Sequence, residues 1–203
     1  MKRWTFLFLA ACCLIGTAGC GRLENYLEIT RDKGVSGEYL AVLNGWTRSQ
    51  VIYSQFETQA HISATYQSPE FNLAYLDEYS RIYHLEEKER KKKEDIKKGS
   101  TADFIEFIFY ASTPEKASND FDRRGSLWTI FLVDGTGVRI APWEVRRIDP
   151  VTPLITKFYP YVNPYHGVAY RLRFRPVNKT ETDVLKLVIA SVLGKAELKF
   201  EKR

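Results

Sequence analysis

The chain has 203 residues, of which 44% are hydrophobic and 27% charged, with a formal net charge of +5. This composition excludes collagen-like, low-complexity and wholly disordered chains, and the length suits one domain with a core that needs no disulfide or metal.

Met1-Lys2-Arg3 is a short positive segment, and Trp4 to Ile15 is an uncharged apolar run that passes into the small residues Gly16-Thr17-Ala18-Gly19-Cys20. This is the three-part layout of a secretory signal. Arg22 and Glu24 arrive too early for a membrane span, which needs about 20 apolar residues.

Thr17-Ala18-Gly19-Cys20 resembles the lipobox of bacterial lipoproteins, with Thr17 where leucine is usual. The resemblance implies a signal peptide over residues 1–19, cleaved before Cys20, and acyl chains on Cys20. It also implies an outer-membrane destination facing the periplasm, because Gly21 stands where an aspartate signals inner-membrane retention. Cysteine usage agrees. Cys12, Cys13 and Cys20 all lie in this segment, so a cleaved chain keeps one thiol, at its very end. Cleavage also removes Lys2 and Arg3, leaving a charge too mild to argue for nucleic acid.

Residues 20–37 are polar, with Gly34, Ser36 and Gly37 as breakers, and read as a lipidated tether. Residues 38–203 read as one domain. Glu38 to Leu43 is a helical turn or strand, ended by the turn dipeptide Asn44-Gly45. Phe56 to Tyr66 alternates as a strand, with Phe56, Thr58, Ala60, Ile62, Ala64 and Tyr66 on one side. Ser68-Pro69-Glu70 is a helix start: a hydroxyl cap, a proline at the first position, an acid in the first turn. The spacing of Phe71, Tyr75, Tyr79 and Ile82 carries that helix on; the charged run after Leu85, with acids and bases at helical spacing, either extends it into solvent or frays into a linker, and Gly99-Ser100 ends it, giving one helix over about 69–98.

Strands follow. Phe104 to Ala111 is apolar on both alternating sets except at Glu106, and so is internal. Leu127 to Val133 returns through Asp134-Gly135-Thr136-Gly137 as Val138 to Ile140; Pro142 interrupts, and Trp143 to Ile148 resumes. Gly167 to Arg175 alternates, with Val168, Tyr170, Leu172 and Phe174 inward and Arg171, Arg173 and Arg175 outward. Val184 to Val192 turns at Leu193-Gly194 into Lys195 to Glu201, with Ala196, Leu198 and Phe200 inward. The expected fold is mainly β: an antiparallel, immunoglobulin-like β-sandwich of about seven strands with one inserted or flanking helix.

No catalytic constellation emerges. With no cysteine after Cys20, thiol catalysis and cysteine-ligated zinc fall away from the domain, and His61, His84 and His166 lack metal-ligand spacing. Asn119 to Gly125 half resembles a calcium loop, but Arg124 stands at the third ligand position and Phe131 where the closing glutamate belongs. It reads instead as a loop ordered by Asx side chains, with Arg123 or Arg124 paired to Asp120 or Asp122. The expectation is no metal, no cofactor and no catalytic residue.

Two segments are candidate binding surfaces. Lys157 to His166 holds four aromatics and two prolines. Its Tyr159, Tyr161, Tyr165 and His166 either present flat faces to sugars or peptides or cover an open end of the sandwich. The Arg171, Arg173, Arg175 row either meets lipid headgroups or an acidic partner, or pairs with Glu144, Glu197 or Glu201 on neighbouring strands. The expected function is a lipid-anchored, non-enzymatic binding or scaffold module of the cell envelope. Its partners would be the membrane, through Cys20, and an envelope protein or glycan. The alternatives are a subunit of an envelope transport or secretion assembly and a hydrolase working through Asp120 and Asp122 with His166.

Overall fold

A computed structural model describes residues 34–54, 57–175 and 184–201. Cys20, the signal segment and most of the expected tether, together with Phe56, lie outside the described residues. The body is Val35–Arg203.

It opens with helix α1 (Gly37–Trp46), whose N-terminus is closed by Ser36, the Oγ accepting from the Tyr39 backbone N–H at 3.2 Å. The turn expected at Asn44-Gly45 does not form. Leu43 and Trp46 are one helical step apart and both buried, and the Trp46 indole donates to Glu70 Oε2 at 3.0 Å, so burial carries the helix through the glycine. Strand β1 (Thr47–Ser54) follows directly, and pairs antiparallel with β2 (Glu57–Tyr66).

Ser68 caps α2 (Pro69–Tyr83) as its sequence predicts, accepting from the Phe71 backbone N–H at 3.0 Å. The single helix expected over 69–98 is two. His84 takes the left-handed conformation (φ 50°) and closes α2, and α3 (Glu87–Asp103) starts afresh. Gly99-Ser100 does not end α3. Its last turn is held by Asn72 Nδ2, which donates to Thr101 Oγ1 at 3.2 Å, and Thr101 Oγ1 in turn donates to the Lys97 carbonyl at 2.9 Å.

The remaining elements are β3 (Ile105–Ser112), β4 (Thr129–Val133), β5 (Arg139–Ile140), β6 (Glu144–Arg147), α4 (Pro153–Phe158), β7 (Val168–Phe174), β8 (Val184–Ser191) and β9 (Gly194–Glu201). Among the described residues the nine strands form two antiparallel sheets, ordered β1-β2-β3-β7-β6 and β5-β4-β8-β9, and the chain is a mainly-β sandwich with four α-helices. The strand missing from the sequence reading is β1. It is an edge strand with only Ile52 buried, and so has no apolar alternation to announce it.

The core between the sheets takes Phe107, Phe109, Tyr170, Leu172 and Phe174 from one and Leu132, Leu187, Ile189, Leu198 and Phe200 from the other. A second core lies on the opposite face of the five-stranded sheet. There Ile108, Tyr110 and Ala169 pack under α1, α2 and α4 through Tyr39, Phe71 and Phe158. Strand β3 therefore buries both of its faces, which is why it reads as apolar on both alternating sets.

The β1 and β9 edges meet through side chains. Arg48 Nε donates to the Lys199 carbonyl at 3.0 Å, and the Glu197 backbone N–H donates to Gln50 Oε1 at 2.8 Å. Gly194 packs tightly on this seam: with φ at 137°, a Cβ there would lie 2.5 Å from Ile52 Cγ2.

Candidate functional site

The aromatic segment is mostly structure. Phe158 and Tyr159 are buried in the second core, against Tyr39, Tyr75 and Phe71. The Tyr161 hydroxyl bonds Thr65 Oγ1 at 2.7 Å and donates to the Ile108 carbonyl at 3.2 Å. Burial pushes the Tyr39, Tyr159 and Tyr161 phenols well above their ordinary range, and Tyr75 up to about 12. These rings fill the layer between sheet and helices; they neither present free faces nor cover an end of the sandwich. Tyr165, 84% exposed, and His166 are the two exposed candidate residues of this segment, and Tyr161 is half-buried. Beneath them, Ser112 Oγ donates to the His166 carbonyl at 2.6 Å.

The loop at Asn119–Gly125 is ordered as expected in kind but through other partners. Asp120 Oδ1 accepts from Ser126 Oγ at 2.8 Å, and Asp122 pairs with Arg147 at 3.4 Å, not with Arg123 or Arg124. Asn119 is the buried member. Its Nδ2 donates to the Ala111 carbonyl at 2.7 Å, and its Oδ1 accepts from the Tyr170 hydroxyl at 2.8 Å.

Arg171 and Arg173 stand on β7, on the face away from the sandwich core, and Arg175 directly follows its last residue; the flanking strands decide what each meets. Strands β3, β7 and β6 are neighbours, so Glu106, Arg173 and Glu144 form one transverse row and Ile108, Arg171 and Arg146 the next. In the first row Arg173 Nε donates to Glu106 Oε2 at 2.8 Å, and its Nη1 lies 3.5 Å from Glu144 Oε2. Arg173 is therefore paired across both strands, one of the two outcomes the sequence leaves open, although Glu197 pairs with Lys186 and Lys195 in the other sheet. Arg175 stacks on Trp143, its guanidinium carbon 3.6 Å from the ring centroid.

The second row is different in kind. Arg171 and Arg146 are direct cross-strand partners, a like-charged pair. Arg146 is exposed and makes no hydrogen bond or ion pair among the described residues. Among the described residues Arg171 pairs only with Glu144, at 3.7 Å, and that carboxylate already serves Arg173.

Of six buried polar side-chain atoms lacking a hydrogen-bond partner among the described residues, two lie on this face, Glu144 Oε2 and Arg171 Nε, 3.7 Å from one another. Such atoms are uncommon in folded proteins, so the two mark this row as incompletely satisfied. A recess of about 420 Å³ opens over the row, walled by Ile148, Pro150 and Ile155, with Asp149 at its rim. Lys97 reaches toward the same charges from α3. Desolvation lowers its pKa, and Arg173 and Arg171 lower it further, with Glu106 opposing them.

Arg146 and Lys97 are the members the sequence reading misses. Alternation across Trp143–Ile148 does put Arg146 on the face opposite Val145, but the register that sets it against Arg171 joins strands about 25 residues apart.

A second recess, of about 570 Å³, runs between α2 and α3 over Leu73, Leu76 and Ala102, with Glu94 and Lys97 among the charged residues lining it. Among the described residues no group of three or more His, Cys, Asp or Glu side chains is placed to hold a metal ion, and no helix is long and apolar enough to cross a membrane. No known protein family, curated protein or solved structure matches the chain.

Proposed function

We propose that this protein is a lipid-anchored, non-enzymatic module of the cell envelope, in which a β-sandwich tethered through Cys20 serves as a binding or scaffold domain on the periplasmic side of the outer membrane. One observation carries the reading: Thr17-Ala18-Gly19-Cys20 closes an apolar signal segment and supplies the one cysteine that a cleaved chain would keep. Two or three acyl chains at about 0.8 kcal/mol per buried CH₂ supply the stable attachment that one chain does not. About fifteen residues separate Cys20 from the Ser36 cap of α1, room for a short tether. The side chains expected to do chemistry in the hydrolase alternative are instead tied into loop structure, Asp120 to Ser126 and Asp122 to Arg147.

The test is the intact mass of the mature N-terminal peptide from cells, alongside Cys20→Ala. A peptide that starts at Cys20 with acyl mass, and a C20A protein that leaves the membrane fraction or stays unprocessed, is the expected result. A mature chain that starts elsewhere without lipid overturns the anchor and the scaffold role built on it.

A further inference from the structure

We infer that the Arg146–Arg171 pair on the outer face of β6 and β7 is a binding site for a phosphate-type oxyanion. Arg146 and Arg171 are directly opposed in register on neighbouring strands, and like charges so placed repel unless an anion is shared between them. The carboxylates at hand do not fill that role. Glu106 is bonded to Arg173 at 2.8 Å, Glu144 lies 3.5 Å from Arg173 and 3.7 Å from Arg171, and Asp149 forms no ion pair with either arginine of the pair. Arg171 Nε and Glu144 Oε2 are left without a hydrogen bond, and Arg146 without any partner among the described residues.

The two arginines line a recess of about 420 Å³, roomy enough for a phosphate group with a small substituent. Arginine suits the task because its planar fork of N–H donors matches oxyanion geometry, and a pair can close on one tetrahedral anion from two sides. The apolar wall of Ile148, Pro150 and Ile155 gives the substituent a surface to lie against. The site depends on the folded body alone and stands whether or not Cys20 is acylated.

A free phosphate and the phosphodiester of a lipid headgroup share this chemistry, and calorimetric titration of the full chain in non-ionic detergent separates them. The probes are inorganic phosphate and glycerophosphoglycerol, the deacylated headgroup of phosphatidylglycerol. Saturable binding of at least one probe is expected, weakened at least tenfold in R146Q and R171Q and unchanged in R139Q, which alters β5 of the other sheet. Preference for glycerophosphoglycerol assigns the site to lipid headgroups, and preference for inorganic phosphate to a free anion. Should R171Q misfold, R146Q carries the comparison, because Arg146 is exposed and supports no other side chain. Absence of saturable binding to either probe, or equal weakening in R139Q, overturns the site.

Discussion

Glu78 on α2 holds the start of the body in place: its Oε1 accepts from the Ser36 backbone N–H at 2.5 Å and its Oε2 from the Ser36 hydroxyl at 2.9 Å. The same carboxylate takes two bonds from Arg81, at 3.0 and 2.6 Å, yet is only 4% exposed. One side chain thus links two helices, at the cap residue of α1, where the chain enters the fold.

The Arg81 bond, reinforced by the two from Ser36, outweighs burial and brings the Glu78 pKa down from 4.5 to about 2. A carboxylate depressed in the folded state stabilises that state above its unfolded pKa and loses the contribution as pH falls through the folded value. The window is therefore about pH 4.5 down to 2, and the contribution is on the order of 2–3 kcal/mol, reduced by the exposure of Arg81. Urea denaturation should find E78Q less stable than the parent by about 2 kcal/mol at pH 7, with the gap nearly closed at pH 2. A gap that is constant with pH would mean that Glu78 acts through packing and not through charge.

Asn119 is the corresponding anchor on the other side of the molecule. Its side chain spans the Ala111 carbonyl and the Tyr170 hydroxyl, and desolvation by burial is the main reason the Tyr170 phenol rises to about 12. Asn119→Ala leaves the buried Ala111 carbonyl short of its donor, at about 1–3 kcal/mol, while the Tyr170 hydroxyl keeps the residue 119 backbone carbonyl at 2.9 Å. An N119A loss of about 1–3 kcal/mol is expected in denaturant melts, against less than about 0.5 kcal/mol for Tyr165→Ala at an exposed loop position. A large loss in Y165A would contradict the division of the aromatic segment into core rings and one exposed ring.

Which parts of this fold were legible follows from how local their causes are. The Ser68-Pro69 helix start, the alternation of Ala60, Ile62 and Ala64, and the double apolarity of β3 are short-range patterns, and each forms as read. The two sheets follow from such strands. Strand β1 and the helix through Asn44-Gly45 were not legible, because the first fully buries only Ile52 and the second is set by Trp46 reaching Glu70. The arginine row shows both sides of this. Its outward face was readable from alternation, whereas the sorting into a paired Arg173, a stacked Arg175 and an Arg171 set against Arg146 depends on register between distant strands.

That register predicts an electrostatic cost. Like charges directly opposed across strands destabilise by about 0.2–1 kcal/mol, and R146Q removes the opposition at an exposed position. R146Q should accordingly be more stable than the parent by up to about 1 kcal/mol in low salt, with the difference shrinking by 1 M NaCl, where the screening length is about 3 Å. Equal stability at both ionic strengths would show that the two guanidiniums turn away from one another.

Two glycines should respond in opposite directions to the same change. Gly99 sits inside α3 with nothing within 4 Å of where a Cβ would be, so Gly99→Ala restricts the unfolded chain and improves helix propensity without a clash. A gain of about 0.5–1 kcal/mol in denaturant melts is expected. Gly194 begins β9 at φ 137°, and its Cβ would fall 2.5 Å from Ile52 Cγ2 at the seam between the sheets. Gly194→Ala must both adopt a backbone conformation that L-residues rarely take and displace a buried isoleucine, at about 2 kcal/mol or more. Combining it with Ile52→Ala separates the two costs. If the clash dominates, the double variant is more stable than the sum of the single losses predicts; if backbone strain dominates, the losses add.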